Sequence, residues 1–394
     1  MSLAFGRQHL AIPGPSVMPD RVLQAMHRAA PNIYAGELVE MVPTILRDLK
    51  AVARTTGDVA IYICNGHGTW EASLSNVLSR GDKVLVLRTG RFADGWADCA
   101  RRLGCEADTI DFGTRPVDTA RVEEALRANG GHAYRAVLCV QVDTATSVLS
   151  DVPAIRRAMD AAGHPALLMA DCIACLGVDR MEMDAWGVDV IITGSQKGLM
   201  TPPGLGFVFL SAKADAARER SDLATMYWDW RPRIRPAGFY EYFNGTAPTH
   251  HLYGLRAALD MIGEEGIENV WARHDVLASA VWAAVDRWAE GGALSPVVAD
   301  HAARARAVTT IDFDRAEELR GWCERKAGLT LGIGLSRPGE AAVPQRFRIG
   351  HMGHLSAHSL LGTLGTVEAG LRAIGTPIGQ GALDAAAEVI AARA

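Results

Sequence analysis

Residues 188–198 read Val-Asp-Val-Ile-Ile-Thr-Gly-Ser-Gln-Lys-Gly, an apolar β-branched run followed by a short polar turn. The run predicts a buried strand, because Val and Ile pack well on a pleated surface. Lys197 then projects from a strand end, where the sheet of an α/β protein opens into its ligand crevice. Burial disfavours the charged ammonium and makes the amine a better nucleophile toward aldehydes. The first hypothesis is a Schiff-base lysine, and the alternative is a solvated loop cation.

Apolar runs and helical patterns alternate on both sides of this stretch. Runs at 59–64, 83–88 and 136–142 are followed by helical patterns at 69–78, 92–103 and 152–162, and further runs lie at 166–170 and 206–210. This βαβα order predicts an α/β fold with a mostly parallel central sheet, helices on both faces and right-handed crossovers.

The pattern changes after residue 249. Long helical patterns at 253–264 and 267–289 lead out of the sheet, and strand patterns at 307–313 and 346–349 then mix with helical patterns at 316–327, 356–373 and 382–392. We therefore expect an N-terminal arm over 1–15, a large α/β domain over 16–265 and a smaller C-terminal α+β domain over 266–394 that begins with a long connecting helix.

Composition excludes several classes of protein. The chain has 394 residues, of which 49% are hydrophobic and 22% charged, as expected of a globular protein with a large core. Its formal net charge of -5, with acids and bases dispersed, argues against a nucleic-acid partner. Seven cysteines make a disulfide framework improbable. Without a long apolar segment or a signal peptide, the sequence predicts a cytoplasmic protein with no membrane partner.

A glycine-rich turn is predicted between the first strand of the α/β pattern and its helix. It reads Cys-Asn-Gly-His-Gly-Thr-Trp-Glu over 64–71. Backbone N–H groups and the positive end of a helix dipole would converge there and suit a phosphate. The spacing matches neither a Walker loop nor a G-x-G-x-x-G fingerprint, so a plain tight turn is the alternative.

Asp171 ends the apolar run 166–170 and places a carboxylate at the mouth of a central strand. If a pyridine ring lay in the crevice, this carboxylate would keep the ring nitrogen protonated. The alternative is a helix-capping or loop aspartate. The neighbouring Cys172 and Cys175 could suggest zinc, but a second ligand pair at comparable spacing is missing, so we expect no metal.

Three residues at other strand ends complete the candidate constellation. Phe92 follows a strand and could stack on a planar cofactor, or it could belong to the core. Thr144 could offer its hydroxyl to a ligand, or act as a helix N-cap or turn residue. Arg348 lies inside an apolar strand, where its planar fork suits a substrate carboxylate, and an interdomain salt bridge is the alternative.

The stretch 226–243 is rich in aromatic residues and arginine, without helical or strand periodicity. Long irregular loops are often functional, so an active-site or dimer contact and an irregular packing segment both stay open here.

Taken together, these motifs resemble the class V aminotransferases, and within them the serine–glyoxylate and alanine–glyoxylate branch. The matching stretches are Pro13-Gly14-Pro15, 66–71, Gly90-Arg91-Phe92, Asp171-Cys172-Ile173, 194–198 with Pro202-Pro203-Gly204, and Arg348-Ile349-Gly350. The resemblance implies a fold-type I enzyme that uses pyridoxal 5′-phosphate and works as a homodimer, with active sites at the subunit interface.

The resemblance also implies a role for each matching residue. Lys197 would form the Schiff base with the cofactor, Asp171 would pair with its ring nitrogen, and Arg348 would bind the substrate carboxylate. The other implied contacts are Phe92 and Ile173 on the two ring faces, Thr144 at the phenolic oxygen, Gly66, His67, Gly68, Thr69, Gln196 and Thr246 of the partner subunit at the phosphate, and Gly14, Asn32 and Tyr34 at the substrate.

The chain departs from the family pattern at several places. Phe243 stands where a phosphate-binding tyrosine is usual, Ser147 where glycine is common, and Ile333 interrupts a glycine-rich stretch. Residues 32–36 also differ from the usual substrate-side motif. These departures leave the amino donor open.

The function implied by the resemblance is a ping-pong transfer of an amino group, through a Schiff base, from serine, alanine or aspartate to glyoxylate or a similar small 2-oxo acid. Alternatives of the same fold are a pyridoxamine–pyruvate type of transaminase and a lyase of the desulfurase or kynureninase kind. A lyase would need a further acid or nucleophile near the substrate side chain, and a shared fold does not decide between these chemistries.

Overall fold

The computed structural model describes residues 1–128, 134–336 and 345–393. The strands are β1 (His9–Ala11), β2 (Asp58–Tyr62), β3 (Lys83–Arg88), β4 (Glu106–Asp111), β5 (Tyr134–Val140), β6 (Val142–Asp143), β7 (Val148–Leu149), β8 (Leu167–Asp171), β9 (Val190–Gly194), β10 (Gly206–Leu210), β11 (Ser295–Pro296), β12 (Val308–Asp312), β13 (Leu329–Ile333) and β14 (Arg346–Gly350). The helices are α1 (Asp20–Met26), α2 (Glu37–Ala53), α3 (Gly66–Val77), α4 (Arg91–Arg102), α5 (Thr119–Ala128), α6 (Val152–Ala161), α7 (Ala212–Ala217), α8 (Arg231–Ile234), α9 (Thr249–Glu265), α10 (Ile267–Ala289), α11 (Ala316–Trp322), α12 (Ala357–Ala373) and α13 (Ala382–Arg393).

The larger sheet has the order β2-β10-β9-β8-β5-β3-β4. The pairs from β9 to β4 are parallel, and β10 runs antiparallel to both of its neighbours. Both faces are covered: along β3, Val84 and Val86 enter one core while Leu85 and Leu87 enter the other. Successive side chains of a strand alternate in direction, so a sheet buried on both faces needs such an unbroken apolar run. The predicted α/β fold with a mostly parallel sheet is confirmed.

The sequence analysis did not predict two elements of the larger domain, strand β4 and helix α2. Strand β4 is an edge strand whose residues are mostly half-buried or exposed, so its sequence lacks the apolar run of a central strand. Helix α2 contains Pro43, which normally argues against a helix interior. The helix forms nevertheless, because one face is buried from Leu38 through Ile45 to Leu49.

The glycine-rich stretch 64–71 does connect a strand to a helix, as predicted, but the helix begins earlier than expected, because residues 66–68 form the first turn of α3. Asn65 lies just before the helix, and its side-chain oxygen accepts hydrogen bonds from the N–H groups of His67 at 3.1 Å and Gly68 at 3.3 Å. Asparagine is a favoured N-cap because it satisfies donors that have no partner within the helix. The cap therefore starts the helix three residues before the predicted start at residue 69.

The smaller sheet has the order β1-β13-β14-β12-β11. Its first strand comes from the N-terminal segment that was predicted as an arm, and it pairs in parallel with β13. Helix α9 ends at Glu265 and α10 begins at Ile267, on either side of Gly266 with φ 82°. The domain limits themselves remain predictions, but the segment before residue 16 is tied to the second sheet.

Ser147 joins the turn between β6 and β7, which form a separate two-stranded sheet, to the smaller sheet. Its hydroxyl lies 2.5 Å from the hydroxyl of Thr310 on β12, and its carbonyl accepts the N–H of Ala305 at 3.1 Å. Its φ is 69°, in the left-handed region that favours glycine. The departure from glycine therefore costs backbone strain and adds a buried hydrogen bond to the smaller sheet.

We predict that Ser147→Ala destabilises the protein more than Ser147→Gly. Alanine keeps the backbone strain and leaves the Thr310 hydroxyl without its buried partner, at a cost of about 1–3 kcal/mol. Glycine loses the same bond but relieves roughly 1 kcal/mol of strain. Urea denaturation of both variants measures the order, and an alanine variant at least as stable as the glycine variant contradicts it.

Candidate functional site

The candidate residues gather at one edge of the large sheet. Strand β8 ends at Asp171, which lies in register with Val140 of β5 on one side and Ile192 of β9 on the other. Lys197 follows the end of β9 by three residues. Because carboxyl ends of parallel strands face the same edge, the register brings the aspartate and the lysine to one crevice.

Lys197 is partly buried, and its Nζ donates a hydrogen bond to the carbonyl of Pro13. The adjacent Gly14 leaves no room for a Cβ, which would overlap the end of the lysine side chain. Burial, together with the positive charge of Arg348, lowers the pKa of Lys197 to about 8, although the negative charge of Asp171 opposes both. About a tenth of the amine is therefore neutral and nucleophilic at pH 7, far more than for an ordinary lysine with a pKa of about 10.4.

Asp171 is 3% exposed, and both of its oxygens are hydrogen-bonded. Oδ2 accepts from the indole Nε1 of Trp70 at 2.7 Å, and Oδ1 accepts from the N–H of Ile173 at 2.9 Å. Burial raises the pKa of Asp171 to about 6, although both hydrogen bonds lower it. The carboxylate is thus fixed in direction and ionised at neutral pH. The alternative role as a helix cap does not describe it.

Trp70 is a site residue that sequence reasoning missed. It lies in α3, 3% exposed, with its ring edge-on to His67 at 4.5 Å and to Phe92 at 6.4 Å between centroids. The only signal in the sequence was its place one turn into the helix after the glycine-rich stretch. Its hydrogen bond to Asp171 spans 101 residues, which local patterns do not reveal.

The start of α3 forms a tightly packed cradle. A Cβ at Gly66 would collide with the side chain of Ile173, and a Cβ at Gly68 would lie within 3 Å of Cys64. The hydroxyl of Thr69 is buried and donates to the carbonyl of Gly66 at 2.7 Å. The N–H groups of His67 and Gly68, which the resemblance assigned to a phosphate, here bond to Asn65.

Gln196 lies just before Lys197, in the turn that follows β9. The oxygen Oε1 of its side chain is buried and has no hydrogen-bond partner among the described residues. A Cβ at Gly194 would lie 2.9 Å from this atom, so glycine makes room for it. A buried polar group with unused bonding capacity is the kind of group that a polar ligand satisfies.

Arg348 lies on β14 and is 7% exposed. Its Nε donates to the carbonyl of Ile333 at 2.7 Å, and its Nη1 donates to the carbonyl of Thr144 at 2.9 Å. Within residues 1–128, 134–336 and 345–393 it forms no ion pair, so the alternative of an interdomain salt bridge finds no partner there. Burial lowers the pKa of Arg348 to about 10, where it is still fully charged at neutral pH. A buried cation without a carboxylate partner can accept one from a ligand.

Two residues, the predicted Thr144 and the departure from the family pattern at Ile333, contact Arg348 through their backbones. Thr144 presents its carbonyl to Arg348, and Ile333 does the same from β13 while its side chain is 49% exposed. The departure from glycine at Ile333 is therefore accommodated, since the side chain points away from the arginine that its carbonyl holds.

Phe92 lies in the first turn of α4 and is partly buried. Its N–H donates to Asp143 Oδ2 at 2.8 Å. Asp143 is a second residue that the sequence reasoning did not assign, although it follows an apolar run just as Asp171 does. It is completely buried, and burial raises its pKa to about 6.

Three predicted residues are not brought to this group in the monomer. Asn32, Tyr34 and Thr246 are exposed, Tyr34 to 88%. Asn32 Oδ1 accepts the N–H of Tyr34 at 2.8 Å. In the part of the chain that the structure describes, no hydrogen bond connects any of the three to Lys197 or Arg348.

The stretch 226–243 contributes buried side chains to the fold, but Met226 is 83% and Tyr240 62% exposed, so the packing role and the contact role both remain predictions. Arg233 is 1% exposed, donates to the carbonyls of Ile61 at 2.8 Å and Tyr227 at 2.7 Å, and lies over the ring of Tyr62 at 4.3 Å. Phe243 is 1% exposed and belongs to the large core. This position therefore serves packing.

Among the described residues, no group of three or more His, Cys, Asp or Glu side chains is arranged to hold a metal ion. All seven cysteines are free thiols. Cys172 and Cys175 both donate to Gln141 Oε1, at 3.3 and 3.1 Å. None of the helices described has the length and apolar character needed to span a bilayer.

Comparison with known proteins points to one family. The family model described as aminotransferase class V matches residues 65–329. The chain is 40% identical to a serine–glyoxylate aminotransferase of Methylorubrum extorquens, covering 97% of this chain and 95% of the relative. It is 37% identical to an L-aspartate–glyoxylate aminotransferase of Paracoccus denitrificans, covering 96% and 94%. The crystal structure of an alanine–glyoxylate aminotransferase from Nostoc sp. superposes with a TM-score of 0.83 at 26% identity, covering 93% and 96%.

We predict that Trp70→Phe destabilises the protein by about 1–3 kcal/mol more than Trp96→Phe. Both tryptophans are buried, but Trp96 Nε1 has no hydrogen-bond partner, whereas Trp70 Nε1 bonds to the carboxylate of Asp171. The two substitutions remove the same atoms. The difference between their losses in free energy of unfolding therefore measures the cost of leaving the buried Asp171 carboxylate without its hydrogen-bond donor. Denaturant titration of both variants measures it, and equal losses contradict the assigned bond.

Proposed function

This chain belongs to the class V aminotransferase family, and from that premise we propose that it is a pyridoxal 5′-phosphate-dependent transaminase. It moves the amino group of serine, alanine or aspartate to glyoxylate or a similar small 2-oxo acid. The observation that carries the proposal is the amine of Lys197, buried at a strand end with a lowered pKa between the charges of Asp171 and Arg348.

The residues present fit the cofactor. Lys197 offers a neutralisable amine to its aldehyde, and Asp171 offers a fixed carboxylate to its ring nitrogen. The side-chain amide of Gln196 can donate its N–H groups to the phosphate, and the glycines of the cradle let the backbone approach closely. Phe92 and Ile173 are the apolar groups for the ring faces. When bound, the cofactor supplies the electron sink that makes the substrate Cα acidic.

The chain's own groups divide the remaining work. Arg348 binds the carboxylate of the amino acid and of the oxo acid alike, which orients the substrate for both half-reactions. Lys197 Nζ, once released by the substrate amine, accepts the proton from the substrate Cα as general base. Trp70 and the N–H of Ile173 keep the Asp171 carboxylate pointing in one direction.

A homodimer is the proposed assembly, with Thr246 of the partner subunit at the phosphate and with Asn32 and Tyr34 on the substrate side. Support comes from the exposure of Asn32, Tyr34 and Thr246 in the monomer. Large apolar side chains are also exposed, with Met226 at 83% and Ile63 at 43%. Seven free thiols suit a reducing compartment, and we propose the cytoplasm.

We predict that Lys197→Ala lowers transamination of glyoxylate, with serine, alanine and aspartate as donors, by about 10²- to 10⁴-fold or more, because the general base and the cofactor anchor are both lost. The visible absorbance of the loaded protein should disappear as well. Lys213→Ala is the control, since that lysine bonds to the Ala166 carbonyl at 2.8 Å, at the opposite end of the strands. A Lys197→Ala variant with normal turnover would exclude the role.

We predict that capture of pyridoxal phosphate by the apoprotein accelerates as pH rises, with the midpoint of the profile near pH 8, because only the neutral amine attacks and burial lowers the pKa of Lys197 to about 8. Arg348→Gln removes a neighbouring positive charge, so the midpoint should move to higher pH. Arg346→Gln is the matched control, because Arg346 bonds to Asp312 at 2.5 Å and does not influence the lysine. Stopped-flow absorbance follows the rate, and a midpoint near the ordinary lysine value of about 10.4 contradicts the account.

A further inference from the structure

Asp143 lies at the end of β6, completely buried, and no step above uses it. Its Oδ2 accepts the N–H groups of Phe92 at 2.8 Å and Ala93 at 3.3 Å, and its Oδ1 accepts that of Ala145 at 3.1 Å. Phe92 and Ala93 are the second and third residues of α4. A carboxylate at that place satisfies helix donors that have no partner in the helix and complements the positive end of its dipole.

The neighbouring glycine makes room for this carboxylate. Gly90 has φ 173°, an extended conformation open to any residue, so its backbone does not require glycine. A Cβ there would lie 2.5 Å from Asp143 Oδ1 and 2.7 Å from Oδ2. The reason for glycine is the close approach of the Asp143 carboxylate.

The same aspartate faces the carboxylate-binding arginine without touching it. The next residue, Thr144, holds Arg348 Nη1 through its carbonyl at 2.9 Å. The negative charge of Asp143 raises the pKa of Arg348, yet no hydrogen bond or ion pair joins the two side chains in the described structure. A contacting carboxylate would occupy the guanidinium fork. A remote one balances its charge and leaves the fork available to a substrate.

We propose that Asp143 is a positioning residue of the reaction: it anchors the ring-stacking Phe92 and serves as the remote counter-ion of Arg348. The inference rests on the proposed function, since it assigns a residue to the same site. The anchor needs a carboxylate, because three N–H donors converge on its two oxygens and an amide would turn its own N–H groups toward some of them. The counter-ion needs a carboxylate because an amide carries no charge.

The test compares Asp143→Asn with Asp179→Asn in the holoenzyme. Asp179 is also buried, and its Oδ1 accepts the N–H of Arg306 at 3.3 Å, but it takes no part in the site. We expect Asp143→Asn to raise the KM of donor and acceptor alike by about ten- to hundredfold, with a smaller change in kcat, and to weaken pyridoxal phosphate binding. Asp179→Asn should leave all three unchanged. Wild-type values in Asp143→Asn, or equal losses in both variants, overturn the proposal.

Gly90→Ala provides a second test that keeps the charge. The added methyl group displaces the carboxylate, so the same rise in KM is expected, and this keeps the proposal testable should Asp143→Asn fail to fold. Gly263→Ala is the control, because a Cβ there meets no atom within 4 Å. Wild-type KM values and cofactor affinity in Gly90→Ala would count against the anchor.

A pH profile separates a counter-ion from a purely structural residue. The holoenzyme is titrated with acetate, the simplest carboxylate, at a series of pH values. Arg320 and Lys197 are the other charged groups that interact with Arg348. Loss of the Asp143 charge should move the alkaline fall in acetate binding to lower pH, whereas an unmoved profile contradicts the counter-ion role. Acetate binding and cofactor binding can be measured without turnover. If the wild type bound both ligands but transaminated none of the donors, the proposed reaction would be contradicted, and the binding measurements would still test the role of Asp143.

Discussion

This site depends on the surroundings of one buried amine at the end of a strand. Its hydrogen-bond partner is a carbonyl and not a carboxylate. Lys197 donates to Pro13 and forms no ion pair with any described residue. Burial and the charge of Arg348 both push it toward neutrality, and only the charge of Asp171 opposes them. An aspartate in direct contact would hold the amine as an ammonium, which is no nucleophile.

The site exists only when the two sheets meet. Lys197 and Asp171 belong to the large sheet, whereas Arg348 lies on the smaller one and Pro13 follows the strand β1 that pairs with it. Ser147, in the turn between β6 and β7 that also contains Thr144, bonds to Thr310 of the smaller sheet. The distance between the amine and the guanidinium of Arg348 is therefore set by packing between the sheets.

Sequence patterns were sufficient for residues whose role follows from a place at a strand end. Lys197 and Asp171 follow unbroken apolar runs, so their position at the crevice could be predicted without a structure. Trp70 and Asp143 could not be assigned, because what makes them important is a hydrogen bond to a residue 101 or 51 positions away. The start of α3 was misjudged because Asn65, not the glycines after it, decides where the helix begins.

The irregular parts of the chain were the hardest to predict. Tyr34 and Thr246 are exposed in the monomer, and the roles proposed for them need a second subunit, which no local pattern reveals. The composition of the aromatic and arginine-rich stretch left a functional and a packing role open, and Arg233 uses its charge to bind backbone carbonyls and aromatic faces inside the fold. Composition alone does not separate such a buried cation from Arg348, which forms no ion pair within the described residues.

The most direct measurement of the central claim is chemical trapping at the lysine. Borohydride reduction of the protein loaded with pyridoxal phosphate, followed by digestion and mass spectrometry, identifies the nitrogen that holds the cofactor aldehyde. The account predicts a single modified peptide, with the added mass on Lys197. Modification of another amine such as Lys213, or no modification at all, would contradict it.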